Sequence, residues 1–443
     1  MVEKPLFRIL EETPLSGFHY RLLLIGCLIY GFTSMNVMLV AAVLTPIINE
    51  FKLKALESGL LVGVGYFGMF LGALTCGVLA DYIGRKKTLL FTTLAMCIFT
   101  AANIFATDAL TMGFLRFLAG IGLGGSLPQP GVYVSEYVPA KYRGLFLGVI
   151  EASWVYGALL SLIFPYILFP MFGWRLTFMV ALIPLILVPL EIFLMPESLR
   201  YLQLKGKAKE AIDFLRKHGI IAENFVNEKL AAEVYEKHKL IEALKELWSP
   251  LYWKRTVMLW ILWAVLVYTY HGIFVWLPTI YVRELGLTIV KSIEWTITVT
   301  LAQIPGYYSA AFLLDRVGRK PIAAVYLAMA GFASFLLSQS NMPQYILLWS
   351  IVISFFNLGA WSALYAYTPE LYPTRIRGTG SGAAASIGRI AGIIAPTLTP
   401  LLYSYGGLAV PFALFALIHI LGAVAVITFG VETKGKTLEE IAK

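Results

Sequence analysis

Twelve long apolar runs, separated by polar stretches, dominate the hydrophobic pattern of this chain. A helix needs about 20 apolar residues to cross a hydrocarbon core of about 30 Å, and each run reaches about that length. The runs, numbered here as spans 1 to 12, cover residues 22–47, 58–80, 87–106, 110–137, 144–170, 173–195, 256–282, 291–314, 321–339, 344–368, 378–404 and 409–430. The pattern predicts an all-α membrane protein with twelve transmembrane helices.

One polar stretch, residues 196–255, is much longer than the others and divides the spans into two sets of six. Within it, AKEAIDFLRK and VNEKLAAEVYEKHKLIEALKELW mix charged and apolar residues at the spacing of short amphipathic helices. We expect an N-terminal six-helix bundle at 1–195, a cytoplasmic linker at 196–255, a C-terminal six-helix bundle at 256–430 and a cytoplasmic tail at 431–443. The linker could instead be a platform for regulation or for a partner.

The composition excludes a water-soluble protein. Of 443 residues, 59% are apolar and only 14% are charged, whereas soluble domains carry about 25% charged residues. Cys27, Cys76 and Cys97 all lie in apolar runs without the spacing of a metal site or a disulfide framework. We expect no metal and no cofactor. The first 20 residues lack a short apolar core followed by a cleavage site, so span 1 is expected to stay as a signal anchor.

The basic residues predict the orientation of the chain. If the N-terminus is cytoplasmic, most of the 35 Lys and Arg residues fall in cytoplasmic segments. The opposite loops then hold only Lys52, Lys54, Arg175, Arg283 and Lys291. The positive-inside rule therefore places both termini in the cytoplasm of a multi-pass protein of the cell membrane, surrounded by lipid. The net charge of +9 needs no nucleic-acid partner to explain it.

One match to a nucleotide-binding motif is rejected. Gly430, Gly435, Lys436 and Thr437 fit the pattern GxxxxGK[ST]. A membrane span precedes this segment where a strand is required, and only six residues follow Thr437. We therefore expect neither an ATP-driven pump nor any other enzyme.

The two halves of the chain carry the same motifs. GVLADYIGRKK aligns with AFLLDRVGRKP, and SEYVPAKYRG aligns with PELYPTRIRG, both at an offset of 234 residues. The aligned pairs are Asp81 and Asp315, Gly84 and Gly318, Arg85 and Arg319, Glu136 and Glu370, and Arg143 and Arg377. A shared offset in two separate stretches indicates a duplicated six-helix unit. Such a repeat predicts two bundles related by pseudo-two-fold symmetry, with a substrate site between them.

These motifs resemble those of the major facilitator superfamily over essentially the whole chain, together with RFLAGIGLGGSLPQPGVYVSEYVPAKYRG, PESLRYL and FGVETKGKTLEEI. FFNLGAWSALYAYTPELYPTRIRGTGSG and SIGRIAGIIAP are similar to the branch of organic-ion transporters, niacin permeases and synaptic-vesicle glycoproteins. The resemblance implies the superfamily's transporter fold. The QLS signature of true sugar porters is missing from span 7, which disfavours a hexose substrate. Proton-coupled relatives often have an acidic residue in span 1, where this chain has Thr33 and Asn36.

The repeated loop motifs are candidate gating latches. Gly84 and Gly318 permit tight turns, and the carboxylates of Asp81 and Asp315 can pair with nearby arginines. Pairs of this kind hold neighbouring helix ends in one conformation and break in another. We expect these contacts to include Arg85, Arg319, Glu136, Arg143, Glu370 and Arg377. As topology signals alone, the basic loops would be unremarkable.

Ionisable residues inside spans are functional candidates because unpaired charges are costly there. Arg389 lies 11 residues past Gly378, about 16 Å along a helix, where it could bind an anionic substrate or form a structural ion pair. Glu151 could carry a proton or serve as a fixed partner. Arg116 lies near the outer end of span 4, where a structural, snorkelling role is favoured. His271 could contact ligand or pack beside Tyr270.

Uncharged polar and aromatic side chains at helical spacing complete the candidate substrate site. They are Asn357, Trp361 and Tyr365 in span 10, Gln303 and Tyr307 in span 8, Tyr268 and His271 in span 7, Gln129 in span 4, Trp154 in span 5 and Asn36 in span 1. Aromatic stripes alone usually pack against lipid or core. The amides among them favour a cavity instead.

The sequence thus predicts a secondary active transporter that moves a small polar organic solute, most simply an organic anion, by alternating access. Proton coupling through Glu151 is the expected driving force, and a monomer the expected form. A sugar transporter, a drug or organic-cation transporter and an uncoupled uniporter stay open as alternatives. A non-transporting membrane sensor is the alternative from another class.

Overall fold

The computed structural model describes residues 13–217 and 240–435, and this part of the chain is helical without any strand. It contains eleven helices that are long and apolar enough to cross a membrane. They are Gly17–Phe51, Ala55–Ile83, Arg85–Phe105, Ala109–Tyr137, Lys141–Leu194, Trp253–Phe274, Ile289–Val317, Arg319–Ser338, Pro343–Glu370, Ile376–Gly406 and Ala409–Phe429. Residues 1–12 of the predicted N-terminal bundle, 218–239 of the linker and 436–443 of the tail lie outside the described residues.

The segment Lys141–Leu194 accounts for both span 5 and span 6. Its 54 residues would reach about 81 Å as one straight helix, far more than one membrane crossing needs. The helix breaks at Gly173, whose φ of 70° is left-handed, and continues through the 3₁₀ segment Phe178–Ile186 into the helix Leu187–Leu194. The described chain therefore makes the twelve crossings that the sequence predicts.

Prolines interrupt several spans without ending the crossing. Span 4 consists of the helices Ala109–Ser126 and Gln129–Tyr137, which meet at Pro128. Span 8 consists of Ile289–Leu301 and Gln303–Val317, and Pro305 lies in the first turn of its second part. A proline has no amide N–H to donate, so helical hydrogen bonding weakens at these positions. In span 7 the helix Trp253–Phe274 is followed by the shorter helix Leu277–Leu285.

The helices form two six-helix bundles. In the N-terminal half, span 2 packs on span 4 and span 1 on span 5; in the C-terminal half, span 9 packs on spans 10 and 12, and span 7 on span 11. The halves meet where span 2 contacts span 11 and span 5 contacts span 8. Side chains on these four spans, together with those on spans 1, 7 and 10, can therefore face a space between the halves.

The two ends of the molecule differ in how closely the halves approach. We call the end that carries Gly84 and Gly318 the basic end, and the opposite end the far end. At the far end, a Cβ atom added to Gly59 of span 2 would lie 2.5 Å from the carbonyl oxygen of Thr397 in span 11. Toward the basic end, Cβ atoms added to Gly144 and Gly378 would meet nothing within 4 Å. The halves are therefore packed together at the far end.

The described parts of the polar stretch contain the short helices Leu199–Leu204, Ala208–Lys217 and Leu240–Leu247. Leu215 and Leu247 are fully buried. Phe214 packs edge-on against Phe18 of span 1 at 5.7 Å between ring centroids. The second helix coincides with the amphipathic segment AKEAIDFLRK.

Candidate functional site

A central cavity lies between the halves, with about 650 Å³ of empty space. Its walls come from spans 1, 4, 5, 7, 8, 10 and 11. Seven of the residues that the sequence singled out line it: Glu151, Trp154, His271, Tyr307, Trp361, Tyr365 and Arg389. Tyr30, Trp263 and Tyr270 also line it, and sequence reasoning did not select them. A few polar groups among aromatic walls are typical of a small-molecule site.

One acidic and one basic side chain face this cavity. The Tyr30 hydroxyl donates a hydrogen bond to the Glu151 carboxylate, and it lies 3.4 Å from the hydroxyl of Tyr365. Spans 1, 5 and 10 thus meet at Glu151. Arg389 has no hydrogen bond or ion pair with any residue in the described ranges. Its guanidinium is therefore available to an anion in the cavity.

Aromatic rings form the walls around these charges. The rings of Trp361 and Tyr365 lie 5.4 Å apart with an interplanar angle of 32°, and Trp263 stands edge-on to Trp361 at 5.9 Å. The Trp154 indole N–H donates to the Tyr270 hydroxyl at 2.8 Å. The Trp361 indole N–H is buried and has no acceptor among the described residues. Besides Arg389, the cavity thus offers flat apolar faces and the unused indole donor of Trp361.

His271 lines the cavity and bonds to the backbone of its own helix. Its Nδ1 lies 2.9 Å from the Val267 carbonyl oxygen, which can only accept, so Nδ1 carries the hydrogen. In the neutral form of the ring, Nε2 is then an acceptor. The ring packs edge-on against Tyr66 of span 2 at 4.8 Å. His271 thus joins the two halves of the molecule as well as lining the cavity.

Two predicted substrate residues of the C-terminal half lie away from the central cavity. The Asn357 side-chain amide donates to Thr269 at 2.9 Å and contacts His419 Nε2 at 3.0 Å. These bonds tie spans 7, 10 and 12 together inside one half. Tyr268 lines an apolar groove between spans 7, 11 and 12 and packs against Phe415 at 6.0 Å.

Three further predicted residues also lie outside the cavity lining. Gln303 is buried behind the cavity wall, where its side-chain oxygen lies 3.5 Å from the Tyr270 hydroxyl. Asn36 donates to the Ala181 carbonyl of span 6 at 3.5 Å. Gln129 is buried at the start of the second helix of span 4. The hydrogen bonds of Gln303 and Asn36 thus run to helices of the same half, although Gln303 also lines a small cavity that Met38 and Ala158 of the other half share.

The latch candidates form matching clusters at the basic end. Arg85 forms an ion pair with Glu136, which also accepts from the Ser198 hydroxyl at 2.7 Å. In the second half, Arg319 pairs with Glu370 at 3.1 Å, which accepts from the Thr433 hydroxyl at 2.6 Å. Each cluster joins helix ends of a single half.

The remaining latch candidates lie at the edges of these clusters. Asp315 pairs with Arg319 at 2.9 Å, with a side chain that is 82% exposed. Asp81 is exposed and forms no ion pair with the described residues. Arg143 donates to the Val138 carbonyl, and Arg377 to the Tyr372 carbonyl, both at 3.4 Å. These two arginines therefore brace the chain just before spans 5 and 11.

Two glutamates that sequence reasoning did not select complete the clusters. Glu197 accepts the backbone N–H groups of Arg85 and Lys86 at 2.9 and 3.1 Å. Glu432 accepts those of Arg319 and Lys320, both at 3.1 Å. Each carboxylate thus caps the helix that begins just after Gly84 or Gly318, where unpaired N–H groups favour negative charge. The signal was present in PESLRYL and GVETKGK, whose acidic residues follow each half's last span.

A twelve-span helical fold in two halves, around a central cavity with aromatic walls and a few polar groups, defines a membrane transporter of the major facilitator type. A family model described as "Sugar (and other) transporter" matches residues 25–443. The "Niacin transporter NiaP" of Acinetobacter baylyi is 37% identical and covers 98% of each chain. The "Benzoate transport protein" of the same species is 26% identical, covering 92% of this chain and 90% of the relative.

Solved structures agree on the fold. A partially occluded, inward-open structure of the xylose transporter XylE from E. coli aligns with a TM-score of 0.74 and 19% identity, covering 95% of this chain and all of that one. The chain belongs to the sugar (and other) transporter family of the major facilitator superfamily. It is a multi-pass membrane transporter of a small organic solute and not an enzyme, which confirms the resemblance found in the sequence.

Proposed function

We propose that this transporter moves a small aromatic monocarboxylate, of the size and chemistry of nicotinate, together with protons. The observation that carries this proposal is the combination in one cavity of flat aromatic walls and an Arg389 guanidinium that has no hydrogen-bond partner among the described residues. A guanidinium binds a carboxylate through paired hydrogen bonds. An aromatic ring stacks favourably on Trp and Tyr side chains. The relatives named for niacin and benzoate transport support the same class, since both compounds are aromatic carboxylic acids.

Glu151 is the proton carrier in this proposal. It is the only carboxylate among the described residues that line the cavity. The hydrogen bond from Tyr30 places it where spans 1, 5 and 10 meet. When the halves rock, this carboxyl passes between a closed environment and one that opens to water, so it can take up a proton on one side and release it on the other.

The asymmetry of the two ends supports alternating access. The halves are in contact at the far end, where spans 2 and 11 meet. Rocking of one half against the other would exchange this contact for one at the basic end. By the positive-inside rule, the basic end faces the cytoplasm and carries both termini. The proposed working form is a monomer in the plasma membrane, with the two six-helix halves as the moving units.

Uptake by proteoliposomes tests the proposal. Purified protein should accumulate labelled nicotinate when the outer solution is more acidic than the lumen. Glu151→Gln should lose this accumulation but keep the exchange of labelled for unlabelled nicotinate, which needs no net proton movement. Glu191→Gln is the matched control, because Glu191 is a buried carboxylate bonded to Thr93 at 2.9 Å outside the cavity. It should keep both activities.

Three results would contradict the proposal. Accumulation by Glu151→Gln under the same gradient would remove Glu151 as the carrier. If nicotinate uptake by the wild-type protein did not depend on the pH gradient, the protein would be a uniporter. Absence of both uptake and exchange for nicotinate and benzoate, in protein that remains folded, would exclude the aromatic carboxylates as substrates.

A further inference from the structure

A second, much smaller cavity lies inside the N-terminal half and is lined by residues of spans 1 to 4. Its apolar lining comes from Val37, Met69, Ala119 and Leu123, and its polar lining from Tyr66, Thr100 and Arg116. None of the lining residues is acidic.

Each of the three polar side chains in this cavity has a buried polar atom without a hydrogen-bond partner among the described residues. Arg116 is only 6% exposed, and its Nε atom has no acceptor in the described ranges. The Tyr66 and Thr100 hydroxyls are equally buried and without a hydrogen-bond partner in the described part of the chain. Buried polar groups normally find partners, so three in one cavity indicate a ligand. The expectation that Arg116 snorkels to the membrane surface is wrong, because its side chain is buried inside the N-terminal bundle.

Arg116 carries a full positive charge, because the guanidinium does not lose its proton in proteins. A buried charge without a counter-ion is strongly unfavourable. Arg175 offers a contrast at the far end, where it pairs with Glu50 at 2.7 Å and donates to the Ala106 carbonyl at 2.9 Å. Arg116 has neither kind of partner in the described ranges. The group that would complete its site must therefore be negative and come from solution.

The geometry also limits the size of that group. The guanidinium lies against span 2, where a Cβ atom added to Gly65 would be 3.2 Å from Arg116 Nη2. Apolar side chains form much of the remaining lining. We propose that this cavity binds a small monovalent inorganic anion of the size of chloride, held by the Arg116 guanidinium and the hydroxyls of Tyr66 and Thr100.

The proposed anion site is separate from the central cavity but adjoins it. Tyr66 lies between the two, since its hydroxyl belongs to the anion cavity while its ring packs on His271 at 4.8 Å. Arg389 lines the central cavity and takes no part in the smaller one. Anion binding should therefore stabilise the protein whether or not substrate is present, and whether or not Arg389 is intact.

Thermal unfolding of the purified protein tests this proposal. Chloride is titrated against gluconate at constant ionic strength, so that general salt effects stay fixed. The melting temperature of the wild-type protein should rise with chloride and then saturate, as binding to the native state requires. Arg116→Gln should abolish the saturable rise, whereas Arg389→Gln, the matched loss of an intramembrane arginine, should keep it.

A double variant keeps the test decisive if Arg116→Gln does not fold. Tyr66→Phe with Thr100→Val removes two donors and little volume, and it should shift the chloride midpoint upward by about tenfold or more, the effect of losing hydrogen bonds to a charged ligand. A wild-type melting temperature that does not respond to chloride would overturn the proposal. An unchanged midpoint in the double variant would do the same, because the anion would then bind elsewhere.

Bromide gives a direct location. Crystals of the protein grown in bromide should show an anomalous peak between Tyr66, Thr100 and Arg116. A well-ordered cavity without such a peak at saturating bromide would contradict the proposal.

Discussion

Arg389 is surrounded by small residues on span 11. Ala385 precedes it by one helical turn, and Gly388 and Gly392 lie beside and above it. A long guanidinium can therefore extend into the central cavity without displacing a neighbouring side chain. The only carboxylate in the described cavity lining, Glu151, already accepts a hydrogen bond from Tyr30. This arrangement leaves the arginine for substrate and the glutamate for the proton.

The first prediction concerns this arginine. Arg389→Gln should weaken nicotinate binding by about 10- to 150-fold, the equivalent of the roughly 1.5 to 3 kcal/mol of a hydrogen bond to a charged group. Binding of nicotinamide, which has the same ring but no carboxylate, should change much less. Isothermal titration calorimetry on purified protein measures both affinities. Equal losses for the acid and the amide would assign Arg389 to the architecture of the cavity.

The sequence predicts the chemistry of individual residues better than the direction in which they face. Arg389, Glu151 and Trp361 stand out because charges and indoles are conspicuous in an apolar helix. Asn357 and Tyr268 stand out equally, but their side chains point to other helices of their own half. The polar residues of span 7 and span 10 are not gathered on one side of either helix, so no amphipathic pattern marks the face toward the cavity. Trp263 was missed for the same reason.

At the scale of helices, spans 3 and 9 begin in the same way, with a glycine turn and a glutamate that caps the helix N-terminus. Gly84 has a φ of 101°, and a Cβ atom there would lie 2.4 Å from a carboxylate oxygen of Glu197. Gly318 has a φ of 121°, and a Cβ atom there would lie 2.5 Å from a carboxylate oxygen of Glu432. The glycine lets the carboxylate reach the backbone N–H groups that follow. Motif spacing predicted the turn, whereas the acidic partner lies more than 100 residues away in the chain.

The second prediction tests this turn. Gly84→Ala should lower the melting temperature of the protein, because an alanine in that backbone conformation costs about 1 to 3 kcal/mol and its methyl group displaces Glu197. Gly77→Ala is the control. A Cβ atom at Gly77 meets nothing within 4 Å, and alanine is favoured over glycine inside a helix. If the two variants melt alike, the turn does not depend on glycine.

The third prediction concerns pH and the second glutamate cap. Partial burial alone would raise the pKa of Glu432, but backbone N–H groups of Lys434, Arg319, Lys320 and Thr433 lower it below its ordinary value of 4.5. A carboxylate with a lowered pKa contributes stability above about pH 4.5, and that stability is lost as the pH falls through the lower value. Glu432→Gln should therefore have a lower melting temperature than the wild-type protein at neutral pH, and the difference should shrink in acid.

Melting temperatures of the wild-type protein and of Glu432→Gln, measured from neutral pH down to about pH 3, should approach each other as the pH falls. Asp81→Asn removes an exposed carboxylate from the corresponding loop of the first half and serves as the control, with a pH profile like that of the wild-type protein. A constant difference between Glu432→Gln and wild type at every pH would rule out a role for the charge.

At the scale of the whole molecule, duplication explains why the architecture was predictable. Twelve apolar runs give the crossings, and a repeat offset of 234 residues gives two equivalent halves. The relation between the halves is not encoded in any local pattern. It depends on contacts such as that of the Tyr307 hydroxyl with the Gly148 carbonyl, at 3.1 Å and 159 residues apart. Long-range packing of apolar helices therefore decides which end is closed.

The fourth prediction tests whether the far-end contact opens during transport. At the far end the Thr45 hydroxyl of span 1 donates to the Thr279 hydroxyl of span 7 at 3.0 Å, so cysteines at these two positions would bring their sulfur atoms within reach of a disulfide. In a protein whose native Cys27, Cys76 and Cys97 have been replaced, oxidation of the Thr45→Cys, Thr279→Cys variant should stop nicotinate transport, because spans 1 and 7 can no longer separate. Reduction should restore transport, and transport by each single variant should be unaffected by the oxidant. Full transport by a completely cross-linked protein would mean that substrate crosses without opening this end, and alternating access would have to be abandoned.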